Sequence, residues 1–300
     1  MKHLFIVNPC AGKQDMSQTI AQEVGNLGID AEVRVTEGPR HATALAASFV
    51  ASHSGDDLRV YACGGDGTLG EVAQGLLGTQ AELACFPCGS GNDFVKCWPE
   101  CDFHRLEALT TGTAVPIDAL IVNGRVCLNV MNFGFEAEVC RTMQEVRRWP
   151  VLGGRMAYTT GIVHSLFHSR HTPCRIAVDG ADWVDDDLLL GSAANGQYVG
   201  GGYRCAPRAD VDDGLLEAQA VHTLGIVRFA RIIGVYRRGD HLDRPDLRDV
   251  IHHRRGRSFV LQADKPVPYV VDGELESASR IEVECRHDLF RFVLPQAAGC

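Results

Sequence analysis

Residues 61–70 read YACGGDGTLG, and the apolar run Leu58, Val60, Tyr61 and Ala62 leads directly into them. An apolar strand that stops at two glycines, shows a carboxylate and leaves through Gly67 and Thr68 into a helical pattern suits an anion. Gly64, Gly65 and Gly67 lack the Cβ that would hold a phosphate off the backbone, and the N-terminus of the next helix favours negative charge. Thr68 can cap that helix or bind a phosphate. Asp66 needs a further partner, because a carboxylate beside phosphates repels them unless a divalent cation lies between, which brings in Mg²⁺. A surface turn in which Asp66 only caps the helix is the simpler alternative. The motif alone leaves both open.

Outward from this loop, the first 120 residues alternate between strand and helix patterns. HLFIV (3–7) ends at Asn8-Pro9 and precedes a helix from about Ser17 to Leu27; AEVRV (31–35) precedes a helix from about His41 to His53. LRVYA (58–62) precedes a helix from about Leu69 to Leu77, and ELACF (82–86) runs into CGSGNDF. Such alternation predicts a parallel sheet covered on both faces, with ligands collecting at the carboxyl ends of its strands, where both glycine loops fall.

After Pro116 the texture changes. Ile117–Val122, Asn123-Gly124 and Arg125–Val130 have the pattern of a tight hairpin, and Asp179-Gly180 between RIAV and ADWV repeats it. Leu216–Val221, Ser258–Gln262, Tyr269–Val271, Arg280–Glu284 and Leu289–Leu294 are further short strand candidates with few helices between them. The second half therefore reads as an antiparallel β-domain, with one helical insertion around residues 143–168.

Composition excludes several classes. The chain of 300 residues, 45% hydrophobic and 22% charged, is ordinary for a globular protein with a sizeable core. Its apolar stretches fall far below the roughly 20 residues that cross a bilayer, and its start is not a signal peptide. Twelve cysteines without an export signal argue for reduced thiols and a cytoplasmic protein. A net charge of −9 gives no basic footprint for nucleic acid and no general attraction to an anionic membrane.

The second glycine loop, GSGNDF (89–94), offers Gly89 and Gly91 for close approach, Ser90 and Asn92 as polar contacts, and Asp93 as a further Mg²⁺ partner; Asp118 in PIDAL is a third. Neither loop fits the dinucleotide fingerprint or the P-loop. Asn8-Pro9 with Gly12, Gly64–Thr68, Gly89–Phe94 and the late Asp272-Gly273-Glu274, in that order, resemble the diacylglycerol kinase catalytic-domain family, specifically its soluble bacterial lipid kinases of the diacylglycerol kinase and sphingosine kinase-like type. The resemblance covers essentially the whole chain. It implies an α/β plus β fold: a nucleotide-binding, parallel-sheet α/β domain over 1–122 and an antiparallel β-sandwich lipid-substrate domain over 123–287. The last strand, 288–300, would return to the first domain.

The resemblance further implies phosphoryl transfer from ATP to a lipid hydroxyl, within phospholipid biosynthesis. ATP would be held near Asn8, Thr36, Gly64, Gly65, Asp66, Gly67, Thr68, Leu69, Gly70, Ser90 and Asn92. Asp66, Asp93 and Asp118 would form a network around the catalytic Mg²⁺, and Glu274 would be the base that accepts the lipid hydroxyl proton. A structural Mg²⁺ is implied at Asp210, Asp213 and the Leu215 carbonyl in RADVDDGLLEA, a cluster that is otherwise a solvated turn. The implied partners are ATP and a lipid met at the membrane surface, with a homodimer by analogy. Two departures stand out: Ala11 where many relatives have serine, and Ser90 where threonine is frequent.

Other constellations weigh less. Cys85, Cys88, Cys97 and Cys101 can be drawn as a zinc site, but Cys85 sits in a buried strand and free cysteine packs as a small hydrophobe. The basic run 252–257 reads as an exposed loop, with contact to lipid head groups as the alternative, and the Arg147–Arg155 stretch as a candidate membrane contact, with Trp149 and Leu152 as core residues the alternative. The rivals are an NAD kinase, which shares GGDGT, and a nucleotide or lipid sensor without turnover; GSGNDF and the late DGE favour the lipid kinase. The lipid itself is not readable, because scattered apolar residues specify it.

Overall fold

The computed structural model describes residues 1–146 and 171–296. The described chain divides into two units. Unit 1 comprises Met1–Ala119, Val211–Asp213 and Arg286 onward; unit 2 comprises Leu120–Asp210 and Gly214–Cys285. The helical insertion expected around 143–168 and the candidate membrane contact at 147–155 fall, from residue 147 on, outside the described residues.

Unit 1 is built on strands β1 (Lys2–Val7), β2 (Ala31–Val35), β3 (Leu58–Gly64) and β4 (Glu82–Pro87), with helices α1 (Ser17–Asn26), α2 (His41–Ser52) and α3 (Asp66–Leu76) between them and a short α4 (Leu106–Thr110) after them. β1 lies between β2 and β3, and β3 pairs with β4; all three pairings are parallel, with Phe5 opposite Val33 and Tyr61 and Cys63 opposite Phe86. Every residue of β3 is buried, which suits a central strand covered on both faces. Arg59 is the polar member of that strand. It donates to Glu82 Oε2 at 2.7 Å and to the carbonyls of Leu109, Thr110 and Gly112 at 2.7, 2.9 and 3.0 Å. These charge-assisted bonds tie β3 to the turn after α4.

Helix α3 begins at Asp66, three residues before the sequence pattern placed it. Gly65 is extended and precedes the first turn, and Asp66 puts an acid there, where the helix dipole favours it. The apolar periodicity starts only at Leu69, so Gly67 and Thr68 read as loop although they are helical.

Unit 2 is built on antiparallel pairings. β5 (Thr113–Val122) continues into it from unit 1, followed by β6 (Arg125–Cys127), β7 (Val130–Gly134), α5 (Phe135–Val146), β8 (Thr172–Val178), β9 (Ala181–Ala194), β10 (Leu216–His222), α6 (Ile226–Arg238), β11 (Ile251–Gly256), β12 (Ser258–Val271) and β13 (Glu274–Leu294). β9 pairs with β8 along its first half and runs between β7 and β10 along its second; β10 pairs with β11, and β12 pairs with β7, β8 and β13. Phe133, Phe259 and Tyr269 centre its core. Three turns share one geometry: Asn123-Gly124, Asp179-Gly180 and Asp272-Gly273 have positive φ at both positions, as two-residue hairpin turns require. The far end of β13 belongs to unit 1, where Arg291 lies opposite Glu82 of β4 in parallel register.

Three expectations are corrected here. The paired short strands at 258–262 and 269–271, and at 280–284 and 289–294, are single long strands; β12 carries a register shift between Gln262 and Val267 where Pro266 interrupts the pattern. Helix α6 lies where the sequence pattern predicts none, because Arg228, Arg231 and Gly234 break up a stretch rich in β-branched residues. Its buried face is Phe229, Ile232 and Tyr236, and Gly239 ends it in the left-handed conformation. The basic run at 252–257 is chiefly strand β11 and not a loop. His253 meets Glu217 at 2.8 Å, while Arg254 and Arg255 face solvent and charge the strand against edge-to-edge pairing.

Candidate active site

The two glycine loops of unit 1 meet. Gly64 O accepts the N–H groups of Cys88 and Gly89 at 2.8 and 3.2 Å. A Cβ on Gly89 would stand 2.4 Å from the Gly65 Cα, so the absence of side chains here lets one loop lie on the other. A Cβ on Gly67 would meet nothing within 4 Å. Asn8 bridges a third loop to the same place, donating from Nδ2 to Thr68 Oγ1 at 3.0 Å while its Oδ1 accepts the Cys10 N–H. Thr36 is buried, and its N–H donates to the Val7 carbonyl at 2.8 Å.

Within this frame the N–H groups of Asp66, Gly67 and Thr68 have no carbonyl inside the helix to bond. The Leu69 N–H does: it closes the first turn on the Gly65 carbonyl at 3.0 Å, and the Leu69 side chain is core. Gly70 follows inside the helix. Asn92, at φ +50°, bonds back to both the N–H and the carbonyl of Gly89 at 3.0 Å, which closes the second loop on itself. Ser90 is exposed beside it.

Asp66 and Asp93 converge. A Cβ on Gly91 would lie 3.1 Å from Asp66 Oδ2 and 3.3 Å from Asp93 Oδ2, so both oxygens face one point. Asp66 Oδ1 accepts the Phe94 N–H at 3.0 Å, and Asp93 Oδ1 pairs with Lys96 at 2.5 Å. Burial pushes the Asp66 carboxyl above the usual range against the Phe94 N–H, and the Asp93 charge adds to the push. Two converging carboxylate oxygens make a hard-oxygen donor set of the kind Mg²⁺ accepts. The residues fit that ion.

Asp118 keeps different company. It is fully buried, and its Oδ1 accepts His287 Nδ1 at 2.7 Å and the Asp288 N–H at 3.0 Å. Among the described residues the group whose ligand atoms lie within 4.8 Å of one another is Asp118, His287 and Asp288, without Asp66 or Asp93. The hydrogen bond to Asp118 raises the His287 pKa. Val211 O accepts the Asp118 N–H at 2.6 Å, which places the 211–213 segment in unit 1. Asp213 thus groups with unit 1, and Asp210 and Leu215 with unit 2. The sequence offered no sign of His287 and Asp288, which sit 169 and 170 positions from their partner.

In unit 2, Glu274 opens β13 and forms an ion pair with Arg125, which also reaches Glu276 at 2.6 Å. Tyr269 donates to Glu276 Oε2 at 2.7 Å. Asp272, two residues earlier in the turn, is half-buried and accepts the N–H groups of Leu128, Asn129 and Val130 at 2.7, 3.0 and 3.0 Å. Asp272 therefore anchors the turn, and Arg125, which no motif marks, holds Glu274. Unit 2 also encloses an apolar cavity of about 830 Å³, counting its open mouth, lined among others by Phe135, Val139, Leu190, Val221, Phe229 and Ile232.

A two-unit chain with a β-sandwich second unit and an anion-ready glycine site in the first has the fold shared by diacylglycerol and NAD kinases. Residues 2–122 match the diacylglycerol kinase catalytic domain, and residues 129–294 match the YegS C-terminal NAD kinase beta sandwich-like domain. The chain belongs to the family these domains define, and it is a kinase. A Pseudomonas aeruginosa (strain UCBPP-PA14) protein named Probable lipid kinase YegS-like is 34% identical over 223 residues, covering 71% of this chain and 69% of its own. A crystal structure of a diacylglycerol kinase from Bacillus anthracis str. Sterne aligns with a TM-score of 0.70 at 21% identity over 99% of this chain and 98% of that one. An NAD kinase from Archaeoglobus fulgidus in complex with ATP aligns with a TM-score of 0.52 at 13% identity, over 99% and 94%. At these identities both structures speak for the fold alone. No helix among the described residues is long and apolar enough to cross a membrane.

Proposed function

We propose that the protein transfers the γ-phosphoryl group of ATP to the hydroxyl of a lipid, with Mg²⁺. The observation that carries the reading is the convergence of Asp66 and Asp93 on Gly91, beside the open N-terminus of α3. Mg²⁺, when bound there, neutralises phosphate charge. The N–H groups at the start of α3 receive phosphate oxygens, with Asn8 holding Thr68 in place and Ser90 exposed at the rim. Asn8, Thr36, Gly64–Gly70, Ser90 and Asn92 remain the proposed nucleotide residues. Leu69 and Asn92 act by shaping the loops, since their hydrogen bonds are spent within the protein.

Glu274 is the proposed base. As the lipid oxygen attacks the γ-phosphorus, its O–H bond breaks and Glu274 takes the proton; the new O–P bond forms while the bond from phosphorus to the ADP oxygen breaks. Arg125 orients Glu274. The apolar cavity of unit 2 supports a lipid over NAD as acceptor. Residues 1–122 would bind the nucleotide and 123–287 the lipid, with 288–300 returning to the first part; a structural Mg²⁺ at Asp210, Asp213 and the Leu215 carbonyl, peripheral contact with a membrane surface and a cytoplasmic location complete the proposal.

The test is transfer of label from γ-labelled ATP to lipids in mixed micelles, with NAD as a parallel acceptor. Labelled lipid that falls by about 10²- to 10⁴-fold in Glu274→Gln, with ATP binding retained, is the expected result. Label on NAD alone, or ATP binding without any transfer, refutes it.

A further inference from the structure

One face of the sheet in unit 2 carries a row of polar residues: Asn132 lies opposite Ser192, Ser192 opposite Gln219, and Gln219 opposite His253. The row beside it, two residues along each strand and so on the same face, is Gly134, Leu190, Val221 and Ile251. Leu190, Val221, Ile251 and Asn132 all line the cavity. A polar row thus borders an apolar chamber.

The row is only partly satisfied. Gln219 is spent on the Cys205 carbonyl at 2.7 Å and on His241 at 3.1 Å. Asn132 is 6% exposed, yet its Oδ1 has no partner, and neither has the Ser192 hydroxyl. Buried polar atoms are normally paired, so an orphaned acceptor on a cavity wall points to a donor that arrives with a ligand.

Glu136 adds a second acceptor to the same chamber. Its hydrogen bond comes from the Tyr236 hydroxyl at 3.4 Å, a long contact. Burial pushes the carboxyl up to about 7, with that hydroxyl as the opposing influence and no cation among the described residues facing it. A half-buried carboxyl in a largely apolar pocket, without a counter-charge, costs stability. A lipid pocket that needed only to hold hydrocarbon would have no use for it.

We propose that the cavity takes the apolar chain of an amphiphile whose hydrogen-bond-donating group, a hydroxyl or an ammonium, seats against Asn132 Oδ1 and the Glu136 carboxyl, and that an anionic group is excluded from that end. In taking this amphiphile to be the acceptor lipid, the inference rests on the lipid-kinase reading; the binding site itself does not. Glu136 and Asn132 would then set acceptor class: a lipid with a free hydroxyl or amine near its chain, in preference to one with a phosphate or carboxylate there.

Calorimetric titration of the full chain with decanol, decylamine and decanoate, each below its micelle concentration, tests the site. The expected result is saturable binding at one equivalent for decanol or decylamine, with decanoate weaker by about tenfold or more, the scale of one unmade hydrogen bond to a buried acceptor. Whichever of the two donors binds more tightly names the group. Glu136→Gln weakens decylamine about tenfold and leaves decanol within about threefold; Glu136→Leu weakens both. Decanoate binding as tightly as the donors, or Glu136→Leu binding all probes like the wild type, overturns the proposal. Should Glu136→Leu fail to fold, the near-isosteric Glu136→Gln still decides through the amine-to-alcohol ratio. Phosphoryl transfer measured in parallel separates the two readings: donor binding without transfer to any lipid removes the lipid-kinase reading and keeps the site, whereas lipid transfer without donor-selective binding removes the site and keeps the kinase.

Discussion

Replacing Glu136 with glutamine is expected to stabilise the protein at pH 8 and to leave it nearly unchanged at pH 5. In the folded chain the carboxyl titrates at about 7, against the usual 4.5, because burial disfavours its charge. Below about pH 4.5 it is neutral both folded and unfolded and costs nothing. As pH rises from there through about 7, the unfolded chain ionises first, so stability is lost across that window, reaching about 3 kcal/mol above it. The cavity opens to solvent, which trims the cost; about 2 kcal/mol of differential stability between pH 5 and pH 8 is the expected reading. Urea unfolding of both proteins at both pH values measures it. Asp272, pushed up to about 6, and His3 and His241, pushed down to about 4, titrate in both proteins and cancel in the comparison. Equal pH dependence in the two proteins, or a glutamine variant less stable at pH 8, refutes the reasoning.

Asp272→Ala leaves three backbone N–H groups of the 128–130 segment without their acceptor; a loss of at least about 2 kcal/mol is expected, and a melting temperature equal to wild type counts against it. Gly91→Ala places a methyl group against Asp66 Oδ2 and Asp93 Oδ2. It should raise the Mg²⁺ concentration needed for half-maximal transfer by about tenfold or more, equivalent to about 1.4 kcal/mol, with little change in melting; an unaltered Mg²⁺ dependence excludes that pair as the ion site. Asp213→Ala is expected to lower both melting temperature and turnover in Mg²⁺, and retention of both removes the structural metal.

Local sequence carried the parts of this protein that depend on local backbone preference. GGDGT after a buried apolar run marks a strand end and a helix start, Asn-Gly and Asp-Gly mark hairpin turns, and the change of texture after Pro116 marks the passage to an antiparallel β-domain. Where the pattern is interrupted, local preference and final structure part. Helix α6 hid behind arginines and β-branched residues because its apolar stripe is set by what Phe229, Ile232 and Tyr236 pack against, and β12 looked like two strands because a bulge at Pro266 divides its alternation.

The site shows the same division. Residue types named the chemistry, because carboxylates beside glycine loops imply phosphate and a cation wherever they occur. Which carboxylate meets which partner was a tertiary matter: Asp118 is held by His287 and Asp288, Glu274 by Arg125, and Asp66 stands with Asp93 because Gly65 and Gly89 let two loops touch. Glu136 had no signature at all; one acid in a helical stretch is unremarkable until strands from four parts of the chain close an apolar chamber around it. Sequence alone determines what each segment prefers within a few residues. Only chain closure, which brings positions more than a hundred residues apart within hydrogen-bond reach, determines which charges are paired, which are buried and which await a ligand.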